Sequence, residues 1–115
     1  MMIMRKKIVC ADGFDLSVQA SEFHYCSPRD NDGPYTAVEV GFPSAEEELL
    51  LPHMESAGGD PTENVYPWTP VGVVYAVIEK HGGMVSGELP AAMGGGYGEW
   101  LDENWGWGQE EVRDE

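Results

Sequence analysis

Positive charge almost disappears from this chain after its seventh residue. Arg5, Lys6 and Lys7 stand together near the start, and only Arg29, Lys80 and Arg113 follow. Against them stand 21 Asp and Glu in 115 residues, for a formal net charge of −15; beyond residue 7 the balance is 3 minus 21, or −18. Such a surface repels nucleic-acid phosphate and anionic lipid, and its long-range attraction is for basic partners. Direct nucleic-acid binding and membrane-surface binding are therefore not expected. Acidity alone is also common in soluble proteins and pervasive in halophilic ones.

Cysteine is equally scarce. Cys10 and Cys26 are the only two, too few for a disulfide scaffold, and they are read as reduced thiols in a cytoplasmic setting. A single Cys10–Cys26 bridge stays open as the alternative. No stretch approaches the roughly 20 apolar residues of a membrane span. The opening "MMIMRKKIVCADG" lacks an apolar run of signal-peptide length. The glycines of "GGGYG" have no Lys and no Ser/Thr behind them, so they do not form a phosphate cradle. No cofactor motif is found.

Glycine and proline are abundant, 15 and 8 residues, which predicts many turns. "KIVCA" at 7–11 is rich in β-formers, and "DG" at 12–13 predicts a two-residue hairpin turn. In "FDLSVQAS", Phe14, Leu16, Val18 and Ala20 alternate with polar residues, the pattern of a half-buried strand. "TAVEVGF" alternates again, with Val38, Val40 and Phe42 on one face. Between 44 and 64 the chain turns acidic. "SAEEELLL" predicts either one or two helical turns, capped by Ser44 with Glu47 completing the box, or a charged loop before a short strand. "NVYPW" predicts a short extended segment that Pro67 confines to a sheet edge.

The best helix is "TPVGVVYAVIEKHGG", with Thr69 as N-cap, Pro70 in the first position and Gly82 as the left-handed stop. Its β-branched residues give it poor intrinsic propensity, so it needs tertiary burial on the sheet. The expected architecture is α+β: an antiparallel meander of three to four strands with one helix packed on it. The compact domain is placed at residues 1–90, followed by an acidic, Trp-rich C-terminal extension at 91–115. Residues 83–115 hold eight glycines and eight acidic residues with one arginine. Within them Trp100, Leu101, Asn104 and Trp105 form one stripe if helical, with Asp102 and Glu103 toward water.

Chemistry-bearing residues are few. His24 and Cys26 with Cys10 and either His53 or His81 could supply four zinc ligands, but structural zinc sites show paired close spacings and this chain has one pair. Cys26 could act as a nucleophile with His24 as base and Arg29 lowering the thiol pKa, yet no third orienting group can be named. Neither is adopted, and the protein is read as not an enzyme. The candidate partner-binding residues are Glu46, Glu47 and Glu48 in the acidic run, and Trp100, Leu101, Asp102, Glu103, Trp105 and Trp107 in the extension, because aromatic residues dominate binding hot spots; the other reading, slightly favoured, is that the Trp100–Trp105 stripe folds back over the domain's own core.

"SVQASEFHYCSPR" and "GPYTAVEVGFP", with "VYPWTPVGVVYAVIEKHGG", resemble a group of small acidic phage and prophage proteins over roughly residues 7–83. That resemblance implies a host-cell cytoplasmic setting and supplies no catalytic residue. By class analogy with anti-CRISPR and other anti-defence proteins, it implies an inhibitor of a basic, nucleic-acid-handling host or defence complex. The alternatives are an assembly protein or homo-oligomer, and a binder of a small signalling nucleotide around Arg29.

Overall fold

The computed structural model describes residues 4–103. Its centre is an open antiparallel sheet of five strands, ordered β4-β3-β2-β1-β5. The strands are β1 (Ile8–Cys10), β2 (Asp15–Gln19), β3 (Ala37–Gly41), β4 (Val65–Pro70) and β5 (Met84–Ser86). The first four form the expected meander. The fifth, beyond the three or four anticipated, pairs with β1 at the opposite edge from β4. Between β4 and β5, helix α1 (Val71–Lys80) carries the chain across the sheet. A second helix, α2, covers Tyr97–Glu103. No helix among the described residues is long and apolar enough to cross a membrane.

The alternation in β2 is realised: Phe14, Leu16, Val18 and Ala20 are all buried. They meet Val38 and Val40 of β3 and Val74, Val77 and Ile78 of α1 in one core. Burying each such aliphatic side chain contributes roughly 1.5–3 kcal/mol. That outweighs the weak helix propensity of the "VGVVYAVI" run.

Several local features differ from expectation. The β1–β2 connection has three residues, because Cys10 N–H donates to Phe14 O at 2.8 Å and only Gly13 adopts positive φ, at 95°. This is a type I turn closed by a left-handed glycine, the usual three-residue hairpin. Thr69 does not cap α1. It belongs to β4, and its hydroxyl donates to Tyr66 O, leaving Pro70 at the N-cap without a side-chain bond. Ser44 forms no capping box: its Oγ accepts from Asp15 N–H, and residues 44–50 form turns before a short 3-10 segment at Leu51–His53. The Gly82 stop holds, with φ at 95°.

Beyond β5 the chain stays on the domain. Gly87, at φ 117°, brings the backbone against β1 so closely that a Cβ there would lie 2.4 Å from Lys7 O. Tyr35 N–H donates to Ala91 O and Tyr35 O accepts from Met93 N–H. Residues 91–93 are thus tied to a tyrosine that is itself buried.

Candidate functional site

Both acidic segments singled out in the sequence meet α1. Glu47 and Glu48 reach Lys80 in its last turn, and Trp100 lies by its first two, beside Gly72 and Tyr75. Their burial differs sharply. Glu46 and Glu48 are exposed, whereas Glu47 is 2% exposed. As part of a solvated surface run, Glu47 does not fit. It is an internal anchor, with Oε2 2.8 Å from Lys80 Nζ, Oε1 2.7 Å from His81 Nε2, and Leu49 N–H donating to Oε2. Burial pushes the Glu47 carboxyl up, but these donors outweigh it and hold the group below its ordinary 4.5.

His81 continues the chain of contacts. Its Nδ1 lies 2.7 Å from Asp12 Oδ2, and its ring stacks on Phe14 at 4.0 Å between centroids. Asp12 is held below its ordinary value, first by the Phe14 backbone N–H and then by His81. Both ring nitrogens are thus engaged by carboxylates of this same chain. The Asp12–His81–Glu47 line therefore acts as a strut, joining the β1–β2 turn, the end of α1 and the acidic loop.

The thiols are structural. Cys10 and Cys26 are both free and buried. Burial, helped by Asp12 and Asp15, pushes Cys10 up to about 11. Cys26 is likewise raised by burial, and its Sγ donates to Ser21 O and Pro28 O. His24 bonds Ser21 Oγ at 2.7 Å through Nδ1. A raised, buried thiol is the opposite of an activated nucleophile. Among the described residues no group of three or more His, Cys, Asp or Glu is placed to hold a metal ion.

Trp100 packs against its own domain, with its ring centroid 5.9 Å from that of Tyr75 in α1 and 6.5 Å from that of Tyr97. Tyr97 in turn donates to Glu79 Oε1 at 2.6 Å. Leu101 is half-buried, and Asp102 and Glu103 are exposed. Trp105 and Trp107 lie outside the described residues, as does Asn104.

The most unusual surface was not singled out from the sequence. Phe42 and Trp68 are the non-glycine residues with positive φ among those described, at 51° and 50°. Both stand where strand alternation would bury them: Phe42 after Val38 and Val40, and Trp68 after Tyr66. Left-handed backbone turns them outward instead, to 58% and 50% exposure. For a bulky residue that conformation costs about 1–2 kcal/mol. Trp68 packs on Tyr25 with ring centroids 5.1 Å apart and the planes tilted by 35°, and Arg29 lies over the Tyr25 ring at 5.1 Å. Phe42 borders a shallow cleft of about 160 Å³ on the sheet face away from α1, with Met4, His24, Glu39 and Val65. Glu39, half-buried there, is raised above its ordinary 4.5, chiefly by desolvation.

No family model, no curated protein and no solved structure matches the chain.

Proposed function

We propose that the protein is a non-enzymatic acidic docking protein that binds and inhibits a basic, nucleic-acid-handling host or defence complex. The observation that carries the docking role is the outward turn of Phe42 and Trp68. A fold that spends conformational strain to present two large aromatic rings to solvent, when the strand pattern would have buried them, has a surface suited to a partner. Aromatic anchors of this kind dominate binding free energy at interfaces. The net charge of −15 supplies the partner's chemistry: long-range steering favours a basic surface. The resemblance to small acidic phage proteins supports the inhibitory setting in a host cytoplasm by analogy alone.

The test separates fold from function at the same residues. Glycine relieves left-handed strain while giving up the packing each ring retains, so Phe42→Gly and Trp68→Gly should each change the melting temperature only modestly. Each should also lose capture of the basic partner from a host lysate at low salt. Retained capture by both variants, or an affinity that is flat as salt rises, would refute the reading. Light scattering that shows a dimer lost in Phe42→Gly would instead place a second copy on this face.

A further inference from the structure

On the helical side, across the sheet from Phe42, a second feature goes beyond the docking face. A groove of about 180 Å³ runs between the Gly94–Gly96 turn with Met93 on one side and Gly72, Tyr75, Trp100 and Glu103 on the other. Its wall is aromatic, because Tyr75 and Trp100 pack together under it. Glu103 is an exposed carboxylate at its edge. Glu79 and Glu99 stand just outside, held by Tyr97 Oη and Gly96 N–H. No Lys or Arg lines it.

We infer that this groove is a binding site for the guanidinium group of an arginine side chain presented by a basic partner. Three physical features point to that occupant. An aromatic wall attracts a cation through the ring quadrupole, and a planar guanidinium stacks on it better than a compact ammonium does. A carboxylate at the rim offers two oxygens in the geometry that a guanidinium fork matches. Gly72 puts no side chain on the α1 wall of the groove, and the Trp100 indole comes up beside it: a Cβ there would sit in ordinary contact, 3.8 Å from Trp100 Nε1. The groove follows from two segments meeting. The glycine turn folds the chain back, and α2 sets Trp100 and Glu103 one helical turn apart on the same side.

The test uses the full chain and an acetyl-capped, amidated Gly-Arg-Gly peptide, whose single charge is the guanidinium, with the uncharged citrulline isostere as control. Proton–nitrogen NMR should show saturable shifts centred on the Trp100 indole and the Gly72 and Tyr75 amides for the arginine peptide, and none for citrulline. Trp100→Leu, which leaves the net charge intact, should weaken binding about fivefold. Glu103→Gln should weaken it about threefold. Because Trp100→Leu could also release α2, Gly72→Met provides the independent variant: it fills the groove from α1 and should abolish the shifts while the fold is kept. Equal response to citrulline, or unchanged affinity in Gly72→Met, would overturn the inference. So would shifts confined to the acidic loop at 44–64. Binding that emerges only when Trp105 and Trp107 are both replaced by Leu would place this chain's own C-terminal residues in the groove and also overturn it. All of these results leave the Phe42 and Trp68 test untouched.

Discussion

Replacing Glu47 by Gln probes the strut that joins the acidic loop to the helix. The Glu47 side chain is 1% exposed, and its two oxygens face Lys80 and His81 at 2.8 and 2.7 Å. Removing one partner from a fully buried ion pair costs roughly 3–5 kcal/mol. Lys80 here is 38% exposed and can turn to water, and Gln keeps the shape and one acceptor. A loss of about 2 kcal/mol is therefore expected, equivalent to roughly 8–16 °C in melting temperature for a domain of this size. The sign with pH follows from the shifts. Glu47 is lowered when folded, so its contribution is present above 4.5 and is lost as pH falls through the lower folded value. Lys80 is raised by Glu47, so its contribution is present below 10.5 and is lost as pH rises through the higher folded value. Chemical denaturation of both proteins across this range should give a stability gap that is flat between these limits and closes in acid. An equal melting temperature at neutral pH, or a gap that persists undiminished in strong acid, would refute the anchor.

Other positions make sharper single tests. Glu39 is raised by burial, so its ionisation disfavours the fold as pH rises above the ordinary 4.5; Glu39→Gln should stabilise the protein at neutral pH, read in urea, and the gain should vanish in acid. Gly87→Ala should destabilise by about 3 kcal/mol or more, read in urea, since its Cβ would meet β1 backbone in a left-handed conformation. Cys10, with its thiol pushed up to about 11, should resist iodoacetamide at neutral pH and react only on unfolding; rapid alkylation of the native chain would reopen a thiol chemistry.

The sheet was legible because its strands carry period-two patterns that act locally. Leu16 and Val18 alternate with Asp15 and Ser17, and one register satisfies them all. The helix was legible from its apolar stripe, although its cap was not: Thr69 has the composition of an N-cap, but the strand claims it for the ladder with Val38. β5 was hidden because three residues between glycines carry almost no pattern. Its pairing depends on Gly87 letting β1 approach, which is a tertiary fact.

The candidate site divides along the same line. A run of three glutamates reads as surface charge, and two of them are. Nothing in "SAEEELLL" marks the middle one for burial, because its partners Lys80 and His81 are 33 and 34 residues away. Phe42 and Trp68 show the converse. The spacing of Phe42 after Val38 and Val40 predicts core, and that prediction fails for a backbone reason that Trp68 shares, a left-handed φ that composition does not announce. Each lies beside a sign that the strand is ending or shifting: Pro43 follows Phe42, and the β3–β4 register slips between Val38 and Val40, opposite Trp68. A register slip adds a residue to one strand and turns its side chain away from the face it would have kept. Large aromatics beside such irregularities are thus poorly described by alternation. They are also the residues that alternation would conceal from any search for a binding surface, so the hydrophobic pattern that revealed this fold also masked two of its exposed aromatic side chains.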